Sequence, residues 1–103
     1  MAIDSMAPVR RALAIVWQLQ GRYAQGMRLT DLARGIEATL STTLRTLETL
    51  ADEGVVERVP GLPEHWHLTP KLVQLAYAHR DEVERLRQQA DELNQRYTRS
   101  HQP

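Results

Sequence analysis

The apolar residues of this chain change period twice, and that pattern restricts the folds open to it more than any other feature. Up to Glu53 they recur three and four residues apart, from Val55 to Leu68 they alternate, and from Pro70 onward the helical spacing returns. Residues 8–20, PVRRALAIVWQLQ, place Val9, Leu13, Val16, Trp17 and Leu19 at helical spacing, with Pro8 where its missing N–H costs nothing. Gly21 stops this first helix, and GRYAQGM reads as a loop. Thr30 stands as the N-cap of a short second helix, with Asp31 in its first turn and Leu32, Ala33 and Ile36 facing inward. A break around Glu37 and Ala38 leads to a third helix. It is capped by Thr39 or Ser41, carries Leu40, Leu44, Leu47 and Leu50, and ends at Gly54.

Beyond Gly54 the β-branched Val55, Val56 and Val59 flank polar Glu57 and Arg58, which is a strand pattern. PGLP supplies a turn at residues 60–63, and HWHL returns with Trp66 and Leu68 on the pleat face opposite His65 and His67. Thr69 and Pro70 open a last helix that reaches about Tyr97 without meeting glycine or proline. The expected fold is mainly α with a small β-hairpin: a winged helix-turn-helix followed by a long C-terminal helix. The expected division is a winged-helix domain over residues 1–76, a dimerisation helix over 77–98 and a disordered tail over 99–103.

A length of 103 residues suits one core, and the lack of cysteine removes disulfides and thiolate zinc sites. No secretory signal and no long apolar span is present, so the expected location is the cytoplasm. Thirteen basic residues balance thirteen acidic ones, which excludes a protein that coats nucleic acid through bulk charge. A DNA reader needs only a local basic face. All the basic residues except Lys71 are arginine, the side chain suited to bidentate contacts. His65 and His67 share one strand face at i, i+2, but no third ligand stands at suitable spacing, so no metal is expected. No nucleophile-base order, phosphate-binding glycine loop or isolated carboxylate pair stands out, and the expectation is a non-enzyme without a cofactor.

The stretches PVRRALAIVWQL, LTDLARGI, STTLRTLETLADEGVVERV and HWHLTPKLVQLA, in that order from residue 8 to about 76, resemble the DNA-binding domain of IclR-type transcription regulators. The resemblance implies a dimeric regulator whose third helix enters the major groove of double-stranded DNA and whose wing touches the flanking backbone. It places Ser41, Thr42 and Arg45 on the outward face at the start of the recognition helix, with Thr49 one turn beyond. An arginine fork there can bridge O6 and N7 of guanine. Arg22, Arg28, Arg34 and Arg58 become phosphate partners that set register, and Arg10 and Arg11 resemble a family position with a structural or phosphate role. Thr43 and Thr46 stand where the family has aliphatic core residues, and Leu44 where it faces outward. The chain as given carries no counterpart of the family's C-terminal effector domain, so no small-molecule ligand is expected. The alternative class is a winged-helix module for protein interaction or for DNA packaging and segregation.

The last helix begins with a broad apolar band, Leu72, Val73, Leu75 and Ala76, suited to packing on its own domain. Its stripe then narrows to Ala76, His79, Val83, Leu86, Ala90, Leu93 and Tyr97 in alternating steps of three and four, the spacing of a coiled-coil seam. Val83, Leu86, Ala90, Leu93 and Tyr97 are the candidate dimerisation residues, with Glu82 and Arg87 flanking them. Parallel and antiparallel pairing remain open.

Overall fold

A computed structural model of the chain describes residues 6–100. Its elements are α1 (Ala7–Leu19), β1 (Met27–Arg28), α2 (Leu29–Gly35), α3 (Leu40–Asp52), β2 (Val56–Val59), β3 (Leu62–Leu68) and α4 (Pro70–Ser100). The strands form one antiparallel sheet in the order β1-β3-β2. This is a winged helix-turn-helix with a long C-terminal helix. The chain divides after Leu72 into two compact units.

In the first unit Ile15, Leu19, Leu32, Leu47, Val56 and Trp66 form the buried core, so every element from α1 to β3 except β1 contributes to it. Met27 of β1 packs against its edge. Burying a side chain of this size stabilises a fold by about 1.5–3 kcal/mol. The first helix is rotated from its expected face: Leu19 is buried as expected, but Ile15 is buried with it, while Val9, Leu13 and Trp17 are exposed, Trp17 to 62%. Thr30 is not the cap of the second helix. α2 begins at Leu29 with Arg28 at its N-cap and no side-chain cap, so Thr30 lies inside the first turn.

The loop reading of GRYAQGM missed β1, whose Met27 and Arg28 pair with Trp66 and His65. A two-residue strand carries too few side chains to show a period, and only its partner reveals it. The hairpin is also tighter than expected. Val59 pairs with Leu62, so Pro60 and Gly61 make the turn, and Leu62 and Pro63 already belong to β3. Val55 precedes β2.

α3 is capped by Thr39, whose Oγ1 accepts from the Thr42 N–H at 3.2 Å. Its orientation is set by Thr43, which is 0% exposed, and by Leu47 one turn later. Burial of a threonine is tolerable here because its Oγ1 donates to the Thr39 carbonyl at 2.8 Å, satisfying the hydroxyl within the helix. Thr46 does the same toward Thr42. Leu44 is half-buried against the core, and Leu40 is 51% exposed.

β3 is covered on both faces. Trp66 points into the core, and His67, 4% exposed, stacks beneath Tyr23 with ring centroids 4.7 Å apart. His67 Nδ1 faces the Tyr23 carbonyl at 2.7 Å and Nε2 faces Glu57 Oε1 at 3.0 Å. The expected polar face of the hairpin is therefore half roofed by the α1–β1 loop.

α4 starts at Pro70, with the Lys71 N–H donating to Thr69 Oγ1, and Lys71 Nζ donates to the Glu53 carbonyl at the end of α3. Val73, Leu75 and Ala76, expected to be covered, are exposed. Arg99 and Ser100 of the expected tail are helical, and residues 101–103 lie outside the described residues. Glu82 pairs with Arg85, and Glu84 with Arg87, along the helix itself.

Candidate nucleic-acid interface

The cap and the buried Thr43 together decide which side chains α3 offers to solvent. Ser41, Arg45, Glu48 and Thr49 are exposed, and Thr42 is half-buried rather than outward. Arg45 is free of the carboxylates nearest in sequence: among the described residues neither Glu48 nor Asp52 forms an ion pair with it. Thr49 donates to the Arg45 carbonyl at 3.1 Å, so its hydroxyl presents lone pairs rather than a proton to a partner.

The structure brings the expected residues together in two groups. Thr42, Arg45 and Thr49 line a cleft of about 300 Å³ between α1 and α3, with Arg11 and Pro8 on the α1 side. Arg28 and Arg58 line a second cleft of about 290 Å³, with Leu44 of α3 and with Glu64 and Trp66 of the wing. Arg58 is held there by its sheet neighbours. Its guanidinium lies 4.4 Å from the Trp66 ring centroid, and Nη1 donates to the Pro63 carbonyl.

Arg28 is held by a chain of bonds. His65 Nδ1 lies 2.8 Å from the Gln25 carbonyl, which can only accept, so the proton sits on Nδ1. Nε2 is then bare and accepts from Arg28 Nε at 3.3 Å. The two residues are register partners across β1 and β3. His65 thus positions Arg28, a role the sequence did not signal because β1 was unseen. With both ring nitrogens engaged, neither His65 nor His67 offers a lone pair to a metal, and the described residues contain no group of three metal-binding side chains.

Arg34 and Arg22 join neither group. Arg34 pairs with Asp31 at 3.6 Å, an exposed contact worth about 0–1 kcal/mol that leaves it available at small cost. Arg22 lies in the α1–β1 loop, where its carbonyl accepts from the Gly26 N–H at 2.7 Å. Arg11 was legible in principle. It precedes Ile15 and Leu19 at i, i+4, i+8, which a stripe drawn through the buried pair would have placed on the inner side of α1.

A Zalpha domain from Cyprinid herpesvirus 3, ORF112, solved for its binding mode to Z-DNA, has a similar structure. The TM-score is 0.51 and the identity 25%, over 65% of this chain and 98% of that one. No curated protein matches the chain. The family model of the IclR helix-turn-helix domain matches residues 8–60, from the start of α1 through β2. More than half of the chain is covered by that match, and the protein belongs to the IclR helix-turn-helix domain family.

Proposed function

We propose that the protein is a sequence-specific double-stranded DNA-binding transcription regulator of the cytoplasm, a dimer that represses by occupying a palindromic site. The observation that carries this reading is Arg45: an exposed arginine on the second helix of a helix-turn-helix, without an ion-pair partner among the described residues. An unpaired guanidinium there can fork onto guanine, worth about 1–3 kcal/mol of discrimination. Family membership and the Zalpha neighbour, whose described partner is Z-DNA, support a nucleic-acid partner. Arg28 and Arg58 serve the backbone, the wing arginine on a rigid seat.

The dimer reading rests on α4, where Val83, Leu86, Leu93 and Tyr97 are all exposed, Leu86 to 56%. An exposed apolar stripe at alternating steps of three and four fits the seam of a coiled coil and supports this reading. Two symmetric reading helices require an inverted repeat whose half-sites lie about one helical turn, or a whole multiple of it, apart. Selection from a random duplex pool tests this, with a palindrome as the expected product. Direct repeats or single half-sites would count against the symmetric dimer, and no enrichment would count against DNA readout. The second reading, a protein-interaction module, is favoured by one observation, the exposed Leu40 at the head of α3 together with the apolar stripe Val9, Leu13 and Trp17 on α1.

A further inference from the structure

A helix face that enters a groove walled by phosphates is an unfavourable place for a carboxylate, yet α3 presents one there. With Thr43 and Leu47 turned inward, steps of four and three bring Ser41, Arg45 and Glu48 side by side on the outward surface, and all three are exposed. Glu48 lines neither cleft, and among the described residues it has no ion pair and no side-chain hydrogen bond. Its separation from Arg45 follows from their order. Among the described residues the ion pairs along helices are Asp31–Arg34, Glu82–Arg85 and Glu84–Arg87, all at i, i+3, and each sets the acid on the N-terminal side. That order is the favourable one on a helix, and the reverse is weaker. Arg45 and Glu48 stand at the same spacing in the reverse order. Both heads therefore stay open to an outside partner, one as a donor and the other as an acceptor.

An unpaired carboxylate repels phosphate oxygens, so within the groove it is tolerable only where a base offers it a proton. Guanine presents only the acceptors N7 and O6 there, thymine the acceptor O4 and a methyl group, and adenine an acceptor N7 beside its amino group. Cytosine presents its N4 amino group with no acceptor of its own. We infer that Glu48 is a second base-reading residue, accepting from the N4 amino group of a cytosine on the base pair next to the one that Arg45 reads. The inference rests on α3 being the reading helix. Three residues of helix rise about 4.5 Å, against about 3.4 Å for one base-pair step, so side chains at this spacing fall on neighbouring pairs. Readers three and four residues apart are the common arrangement on a major-groove helix. Glu48 specifies by exclusion as much as by attraction, since guanine or thymine at its position would set the carboxylate against acceptors alone.

The test uses the full chain, Glu48→Ala and Glu48→Gln, each taken through selection from a random duplex pool. Each is then titrated on the selected site, on a series changed at single positions and on a scrambled duplex. Glu48 is exposed, so both variants should unfold at the wild-type Tm. The wild-type half-site should carry a cytosine beside the guanine whose preference Arg45→Ala abolishes, and replacing that cytosine should weaken binding about fivefold or more. Glu48→Ala should lose preference at that position alone and bind scrambled duplex more tightly, because a negative charge is gone. Glu48→Gln should keep a preference there but move it to adenine, whose N6 and N7 suit an amide. A carboxylate that is merely solvated predicts otherwise: both variants bind every sequence more tightly and keep the wild-type selection. That result, with the guanine still dependent on Arg45, overturns the inference and leaves the reading of α3 standing. Wild-type protein that selects no duplex, or Arg45→Ala with undiminished discrimination, overturns the reading of α3 and this inference with it.

Discussion

Gly26 offers a test of the geometry that sets Arg28 beside His65. Its φ is +65°, and a Cβ built on it would lie 2.2 Å from the Trp66 carbonyl oxygen and 2.8 Å from the carbonyl carbon. Both are backbone atoms of β3, so relief requires β1 to move away from its partner strand. Gly21 has a similar φ of +75° with nothing within 4 Å of the built Cβ. Alanine at either site stabilises by about 0.4–1 kcal/mol through the unfolded chain, a term that cancels between the two. The left-handed backbone costs about 1–2 kcal/mol at both. Only Gly26→Ala adds overpacking, about 1–3 kcal/mol. The net expectation is a loss of about 0–1.6 kcal/mol for Gly21→Ala and about 1–4.6 kcal/mol for Gly26→Ala, each range being the sum of its cited parts. Urea unfolding with an unchanged m-value measures the difference. Equal midpoints for the two variants would refute the close approach of β1 to β3, and with it the account of how Arg28 is positioned.

Arg45→Ala should relax base preference at one position per half-site at a cost of about 1–3 kcal/mol, whereas Arg28→Ala should weaken binding to every sequence and flatten its salt dependence. A mutated-site series at two salt concentrations separates the two, and undiminished discrimination by Arg45→Ala would remove α3 from the role of reader. Changing Leu86 and Leu93 together to Asp should split the dimer while the unit ending at Leu72 stays folded, with sedimentation as the readout. A variant that remains dimeric would move the interface to another surface, the exposed stripe on α1 being the first to examine.

Where the sequence misled, the cause is local and physical. α1 is apolar nearly all round, with two interleaved stripes, Val9–Leu13–Trp17 and Ile15–Leu19, and period alone does not choose between them. Helical spacing puts Val9, Leu13, Val16, Trp17 and Leu19 in one set, while the chain buries Leu19 together with Ile15 in a cluster with Leu47 and Trp66. α3 was legible because its cap and its end at Gly54 are short-range signals. Its rotation was not, because Thr43 looks polar until its hydroxyl is seen turned back onto Thr39. β1 and the roofed His67 depend on partners some 40 residues away in sequence, 44 from His67 to Tyr23, which no local pattern reports.

The same distinction governs the candidate site. Residue type and spacing nominated the arginines, but what each can do depends on its partner within the chain. Arg58 is spent on Trp66 and Pro63 and so offers a fixed charge rather than a searching fork. Arg34 is neutralised by Asp31 at the surface and recovers at small cost. Arg28 has one nitrogen engaged by a neutral imidazole, which aims it without compensating its charge. Arg11 and Arg45 share a cleft with no carboxylate on its walls, and Arg11 has a buried donor without an acceptor among the described residues. Arg45 is exposed on α3 without an ion-pair partner among the described residues, so its fork is free to search a base edge where the wing arginine's is not.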